Sequence, residues 1–132
     1  MEKAGPQRII PYLAYDDAPS AIDFLCKAFG FEEKYRLKMD DGRIGHCELT
    51  LYGNILMLAS AFPDFGLVSP RALEALPCQI MVAVDDVDAH HERARKAGAT
   101  IAAAPADQPH GHRIYRAVDP EGHRWIFSAP IQ

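Results

Sequence analysis

Ala14-Tyr15-Asp16-Asp17 recurs in the second half of the chain as Ala83-Val84-Asp85-Asp86, a displacement of 69 residues. In each copy a β-rich segment precedes the two aspartates, and the second aspartate is a good N-cap for a helix. The first helix is predicted to begin at Ala18-Pro19, where proline is tolerated in the opening turn, and the second to run from Val87 to Ala97. Two copies of one structural unit are therefore predicted.

Further identities lie at helix ends and turns in the same order. They are Lys27-Ala28 with Lys96-Ala97, Gly42 with Gly111, and Gly53 with Gly122. Gly30 meets Gly98 when Phe29 is treated as a one-residue insertion. Chance matches of Asp and Gly in a turn-rich chain are the alternative, but the matching order of predicted elements argues against it.

Three predicted strands follow each helix. They are Glu33 to Met39, Ile44 to Tyr52 and Ile55 to Ala59 in the first copy, and Ala99 to Ala103, Arg113 to Val118 and Arg124 to Ser128 in the second. One helix cannot cover a whole sheet and its edges, so the two sheets should pair or curl together. We therefore expect an α+β fold of two βαβββ repeats, forming a curled mixed sheet, or cup, with the helices outside. The two sheets could pair within one chain or across two copies of it. We expect the protein to be a homodimer.

The 132 residues (14.6 kDa) predict one domain spanning residues 1–132. Repeat one covers about 8–60, a linker covers 61–77, and repeat two covers about 78–130. The proline-rich stretch from Ser60 to Pro77 is predicted to be a loop, with a short helix near Arg71 to Ala75.

Composition excludes several classes of protein. The 14 Lys and Arg residues are scattered against 18 Asp and Glu, a net charge of −4, so we expect no nucleic-acid partner. No run of eighteen apolar residues occurs, and the N-terminal stretch to Gln7 has no apolar targeting segment, so we expect no membrane association. Three widely spaced cysteines without a C-x-x-C pair indicate neither a disulfide framework nor a cysteine-based zinc site, and a reducing cytoplasm is expected.

Alternation along the strands predicts which side chains face the cup, because neighbours point to opposite faces. In the strand that opens repeat two, the uniformly apolar set should face the helices and the other set should face inward. The same assignment is transferred to repeat one by the displacement of 69, and alternation is applied in the same way to the third and last strands of each repeat. The side chains predicted to face the cup are Ile10, Tyr12, Ala14, His46, Glu48, Thr50, Ile55, Met57, Gln79, Met81, Ala83, Tyr115, Ala117, Arg124, Ile126 and Ser128.

A mostly apolar cavity with a few polar groups is typical of a small-molecule site. The alternative is that alternation merely separates core from solvent, which would leave His46 and Glu48 in water.

Several phrases together resemble the vicinal oxygen chelate superfamily of glyoxalases, bleomycin-resistance proteins and extradiol dioxygenases. They are the repeat itself, Pro11 to Asp17 leading into Ala21-Ile22-Asp23-Phe24-Leu25, Val84 to Ala89 followed by Lys96-Ala97-Gly98-Ala99, and Asp119-Pro120-Glu121-Gly122-His123-Arg124-Trp125. The resemblance covers roughly Ile9 to Pro130 and implies the glyoxalase-like fold. It leaves function open, because lyases, oxygenases and drug-binding proteins share this scaffold.

The resemblance also implies where a metal would bind, with one inward residue from the first and last strand of each repeat. Those positions hold Ile10, Met57, Gln79 and Ile126, of which only Gln79 offers a suitable ligand. We therefore expect no metal and no other cofactor.

A metal-dependent lyase or dioxygenase with displaced ligands remains the alternative. In it, His46 and Glu48 would bind a divalent metal beneath the His110-Gly111-His112 loop. His46 and Glu48 are also weak candidates for metal-free acid–base catalysis. The other histidines, His90, His91 and His123, are expected to meet solvent.

The leading hypothesis is a metal-free small-molecule binding protein, similar to the bleomycin-resistance branch, holding an apolar or aromatic ligand in the cup. Its candidate ligand-binding residues are Tyr12, His46, Glu48, Met57, Gln79, Tyr115 and Arg124. A scaffold without any ligand is a third possibility.

Overall fold

The computed structural model describes residues 6–132, so most of the charged N-terminal stretch lies outside the described residues. The first repeat contains one helix and four strands. These are β1 (Tyr12–Tyr15), α1 (Ala18–Phe24) continuing as a π-helical turn (Leu25–Phe29), β2 (Glu32–Lys38), β3 (Ile44–Leu51) and β4 (Asn54–Ser60).

The second repeat has the same order of elements. These are β5 (Ile80–Ala83), α2 (Val87–Lys96), β6 (Thr100–Asp107), β7 (His112–Val118) and β8 (Arg124–Pro130). Each repeat forms one four-stranded sheet, in the orders β1-β4-β3-β2 and β5-β8-β7-β6. The outer pairs β1/β4 and β5/β8 are parallel, and the remaining pairs are antiparallel. The predicted α+β fold of two βαβββ repeats is confirmed.

The helix ends follow the predicted chemistry. Asp17 accepts a hydrogen bond from the Ser20 backbone N–H, and Asp86 accepts one from Ala89, so both aspartates are N-caps. The π-helical turn at the end of α1 takes up one extra residue, which is the insertion that the repeat requires at Phe29. No helix of the described residues is long and apolar enough to cross a membrane.

The two repeats share one hydrophobic core built around the helices. Phe29, which is fully buried at the end of the π-helical turn, packs against Trp125 and Phe127 of the second sheet at ring distances of 5.3 and 4.8 Å. Arg93 of α2 donates to the backbone carbonyls of Cys26 and Lys27. The helices therefore lie against one face of each sheet, and the opposite face, which we call the concave face, is exposed in the single chain.

The linker folds as two short 3-10 turns, Pro63–Phe65 and Pro70–Ala72, joined by extended chain. The predicted helix near Arg71 to Ala75 is therefore wrong beyond its first residues. Prolines open both turns, and Leu73 is already extended, so no longer helix forms.

A turn of repeat two holds the two repeats together through buried carboxylates. Glu121 is 4% exposed and accepts hydrogen bonds from the backbone N–H groups of Asp16 and Asp17, at 2.6 and 2.7 Å, and from the Ser69 hydroxyl. Asp119, also 4% exposed, accepts from the Tyr15 hydroxyl at 2.6 Å. Burial, together with the Asp119 charge, raises the pKa of Tyr15 well above its usual range, so the phenol remains a donor. We call this turn, Asp119 to His123, the carboxylate clamp.

Two histidines expected to meet solvent are instead part of the interior. His90 contacts the Tyr115 hydroxyl through Nδ1 at 2.6 Å and the Phe29 carbonyl through Nε2 at 2.9 Å. Because the carbonyl only accepts, Nε2 carries the hydrogen and Tyr115 donates to Nδ1. Burial lowers the pKa of His90, which keeps the ring neutral. His123 contacts the Ala14 carbonyl at 2.9 Å and packs on the Tyr15 ring.

Replacing Glu121 by glutamine should lower the free energy of unfolding by about 1–3 kcal/mol. Each carboxylate oxygen of Glu121 accepts from one backbone N–H, and the amide nitrogen of glutamine, which only donates, would leave one of these N–H groups without an acceptor. Urea unfolding of Glu121→Gln measures the loss. Glu74→Gln, at an exposed linker position, is the matched control and should unfold like the wild type. Equal unfolding midpoints for the two variants would contradict the clamp.

Candidate functional site

The concave face of the first sheet carries a row of predicted site residues in register. Met57 in β4 lies opposite Tyr12 in β1 and Glu48 in β3, and Glu48 in turn lies opposite Tyr35 in β2. His46 sits two residues before Glu48 on the same face. The structure therefore brings together four of the seven predicted ligand-binding residues: Tyr12, His46, Glu48 and Met57.

Three of these side chains form a hydrogen-bonded chain. The Tyr12 hydroxyl lies 2.7 Å from His46 Nδ1, and His46 Nε2 lies 2.9 Å from Glu48 Oε2. Burial is the main cause that raises the pKa of Tyr12, and the Glu48 charge adds to it. The tyrosine thus keeps its proton and remains a neutral hydrogen-bonding group beside the Glu48 carboxylate.

A cavity of about 390 Å³ opens beside Tyr12. Its floor is formed by short side chains and backbone of β3 and β4, including Gly45 and Ala59, and Met39 forms one side. The opposite side is formed by the residues between Phe62 and Leu67, which we call the Phe62–Leu67 turn. Its volume lies within the range of small-molecule sites, and apart from Tyr12, Ser60 and Arg43 its lining side chains are apolar.

The apolar side chains of the Phe62–Leu67 turn are exposed to solvent. Phe62 and Leu67 pair through their backbones, and Gly66 adopts the left-handed conformation that closes the turn. The Phe62 and Phe65 rings meet edge to face at 4.6 Å, yet Phe65 is 79% exposed. Exposed aromatic side chains at the mouth of a cavity favour contact with an apolar ligand.

The concave face of the second sheet differs from the prediction in one strand. Tyr115 pairs with Phe127 and Ala117 pairs with Trp125, so both point to the helices, where they are buried. The expected inward placement of Tyr115 and Ala117 is therefore wrong. Arg116 takes the inward position, opposite Ile126.

The physical reason is a one-residue offset between the repeats. The β2–β3 and β6–β7 hairpins match at a displacement of 69, because Met39 pairs with Arg43 as Gln108 pairs with His112. A bulge at Gly45 then adds one residue to β3, so Glu48 corresponds to Arg116 of β7 at a displacement of 68. The carboxylate clamp lies in a longer turn than the two-residue Tyr52-Gly53 turn, and this restores the displacement of 69 for Met57 and Ile126. The available signal was Gly45, because an isolated glycine inside a strand pattern suggests a bulge.

Gln79 and Arg124, the remaining predicted site residues, belong to the second repeat and do not join the Tyr12 group. The Gln79 amide oxygen accepts a hydrogen bond from Arg116 at 3.1 Å, and Arg124 is exposed at the start of β8. The second concave face is thus basic where the first carries Glu48.

The residues present do not fit the metal site of the fold. Ile10, Met57 and Ile126 supply no suitable ligand, and the oxygen of Gln79 is engaged by the Arg116 guanidinium, whose charge would repel a divalent cation. Across residues 6–132, no three His, Cys, Asp or Glu side chains lie close enough to bind one ion. His110 and His112 pack against each other at 5.5 Å and do not join His46 and Glu48.

Comparison with known proteins agrees with this architecture. The family model for the Glyoxalase/Bleomycin resistance protein/Dioxygenase superfamily matches residues 8–127, and the chain belongs to that superfamily. An uncharacterized protein of Mycobacterium bovis is 39% identical over 125 residues, covering 92% of this chain and 82% of the relative. The crystal structure of TioX from Micromonospora sp. ML1 is 32% identical with a TM-score of 0.76, covering 95% of this chain and 99% of that one.

A glyoxalase/bleomycin resistance protein/dioxygenase from Nocardioides has the same fold. Its TM-score is 0.64 at 23% identity, covering 99% of this chain and 87% of that one.

Sequence reasoning missed the cavity beside Tyr12 because its walls come from a segment interpreted only as linker. The available signal was two phenylalanines and a leucine, Phe62, Phe65 and Leu67, within a short turn-forming stretch. Apolar side chains that a turn does not need for its own packing indicate a surface for something else.

The corrected faces predict opposite outcomes for two tyrosines. Tyr115→Ala should destabilise the protein by about 3–5 kcal/mol, as other buried aromatic truncations do, whereas Tyr12→Ala should cost less than about 1 kcal/mol because that ring is half exposed. Guanidinium unfolding of both variants measures the difference. A loss for Tyr12→Ala as large as that for Tyr115→Ala would contradict the assigned faces.

Proposed function

We propose that this protein is a metal-free small-molecule binding protein that holds an apolar or aromatic ligand against the concave face of its first sheet. The observation that carries the proposal is the 390 Å³ cavity bordered by Tyr12, whose hydroxyl is the end of the Tyr12–His46–Glu48 chain. The cavity supplies contact area for an apolar body, and the polar chain supplies one directional contact. Binding needs nothing further, so no cofactor is part of the proposal.

The side chains at the metal-binding positions of the fold support ligand binding without a metal. An isoleucine, a methionine, a glutamine and another isoleucine stand where the fold would place ligands, and Arg116 adds a positive charge beside the glutamine. A metal-dependent lyase or dioxygenase would need displaced ligands, and the described residues offer no such group of His, Cys, Asp or Glu.

We further propose that the ligand site is completed by a second copy of the chain. The concave faces expose large apolar side chains that one chain leaves uncovered: Tyr35 is 50% exposed, Leu37 46% and Met81 62%. Glu48 on the first face and Arg116 on the second have opposite charges, so the first face of one copy is complementary to the second face of its partner. Such a homodimer would bury the exposed apolar strips and enclose the cavity.

The proposed setting is the cytoplasm. The cysteines of the structure, Cys26, Cys47 and Cys78, are all free thiols, which suits a reducing compartment.

Blocking the cavity should abolish ligand binding without unfolding the protein. A library of aromatic compounds is screened by thermal shift, and a bound compound at 100 times its Kd should stabilise the wild type by about 2.7 kcal/mol. Ala59→Phe places a ring in the cavity floor and should remove the shift. Thr50→Phe adds the same ring to the same face outside the cavity lining, so this control should keep the shift.

Treatment with EDTA should leave the shift unchanged. Stoichiometric metal in protein purified without chelator, together with loss of the shift on chelation, would contradict the metal-free proposal. If no compound shifts the wild type, the scaffold hypothesis replaces it.

Light scattering tests the second copy. The wild type should have twice the 14.6 kDa chain mass at micromolar concentration, and Met81→Glu should shift it to the single-chain mass by placing a charge in the proposed interface. Leu73→Glu, at an exposed apolar linker position away from the concave faces, should remain dimeric. A monomeric wild type would overturn the proposed assembly.

A further inference from the structure

The direction of the hydrogen bonds in the Tyr12–His46–Glu48 chain is fixed by its last member. An ionised carboxylate only accepts, so His46 Nε2, at 2.9 Å from Glu48, carries a hydrogen and donates it. A neutral imidazole has only that one hydrogen, so His46 Nδ1 is an acceptor. The Tyr12 hydroxyl, 2.7 Å away, must therefore donate its own hydrogen to His46.

This arrangement leaves the Tyr12 oxygen with free lone pairs and no hydrogen to offer. Tyr12 is 50% exposed and lines the 390 Å³ cavity, so a molecule in the cavity can reach the oxygen. A group that donates a hydrogen bond would find a partner there. A carbonyl at the same place would meet only lone pairs.

We propose that the ligand is an aromatic or apolar molecule bearing a hydroxyl or N–H group that donates a hydrogen bond to the Tyr12 oxygen. The inference rests on the proposed function and deepens it by assigning the polarity of the ligand. Met39, Phe62 and Leu67 contact the apolar body, and Glu48, through His46, sets the sign of the polar contact. Glu48 and His46 are positioning residues, and Tyr12 alone touches the ligand's polar group.

Of the other polar side chains that line the cavity, Arg43 can only donate a hydrogen bond, and Ser60 already accepts one. The Arg43 guanidinium is paired with Asp41 at 2.8 Å, and the Ser60 hydroxyl accepts a hydrogen bond from the Ile44 backbone at 2.9 Å. Tyr35, the other phenol near His46, has its ring 6.1 Å from the imidazole and is not among the residues that line the cavity. Tyr12 is thus the polar contact that distinguishes one ligand from another of the same shape.

Four probes of similar shape test the polarity by calorimetry at pH 8.0. They are naphthalene, 2-naphthol, 2-methoxynaphthalene and 2-acetylnaphthalene. The wild type should bind 2-naphthol about three- to tenfold more tightly than naphthalene or 2-methoxynaphthalene, as a single net hydrogen bond predicts. The ketone, which only accepts, should show no such gain.

Two variants separate the roles of the chain. Tyr12→Phe keeps the ring and removes the oxygen, so the preference for 2-naphthol should disappear while naphthalene still binds. His46→Leu frees the Tyr12 hydrogen, so 2-acetylnaphthalene should gain affinity relative to the wild type. A tyrosine serving only as a wall of the cavity would show neither change.

The outcomes distinguish the two proposals. Binding of naphthalene with no preference for 2-naphthol, or a preference that survives in Tyr12→Phe, overturns the assigned polarity and leaves the binding function intact. If no naphthalene probe binds the wild type while library compounds still bind through the cavity at Ala59, a preference among those compounds for ones without a hydroxyl or N–H group overturns the assigned polarity. If neither probes nor library compounds bind, the proposed function fails and the polarity falls with it.

Discussion

The carboxylate clamp is the interaction on which the relative position of the two repeats depends. Asp119 and Glu121 are both nearly inaccessible to water, and a buried carboxylate is tolerated only when its oxygens are fully hydrogen-bonded. Glu121 receives backbone N–H groups at the start of α1, and Asp119 receives the Tyr15 hydroxyl and the Trp125 indole N–H. Repeat two is thereby fixed to the point in repeat one where β1 passes into α1, and Phe29 is brought onto the second sheet.

The turn that carries the clamp also affects which side chains of repeat two lie on the concave face. This turn is longer than its counterpart in repeat one, and the extra length compensates the residue that the bulge at Gly45 adds to β3. Between the Gly45 bulge and the clamp, the displacement between the repeats is 68 instead of 69. A shift of one residue exchanges the two faces of a strand. In β7 this buries Tyr115 against the helices and places Arg116 on the concave face. The pairing of His90 with Tyr115 follows from the same offset.

Local chemistry was sufficient to predict the repeat, the N-caps at Asp17 and Asp86, and the inward faces of β1, β3 and β4. Each of these depends on residues close in sequence, where cap preference and period-two alternation act directly. The placement of Tyr115 failed because the displacement of 69 was carried past the bulge at Gly45. The burial of His90 and the cavity beside the Phe62–Leu67 turn could not be predicted, since each depends on contacts between segments far apart in the chain.

The two concave faces have become chemically different although their backbones repeat. A site that chelates a metal needs similar donors from both repeats, and here one face presents Tyr12, His46 and Glu48 while the other presents Gln79, Arg116 and Arg124. A ligand enclosed as proposed, between the first face of one copy and the second face of its partner, would be asymmetric, with a donor group at Tyr12 and an opposite side that tolerates positive charge. In that proposal the apolar cavity would hold the body of the ligand, and the difference in charge between the faces would orient it. The proposed selectivity would thus follow from the divergence of the repeats, because an unchanged duplicate would bind a ligand equally well in either direction.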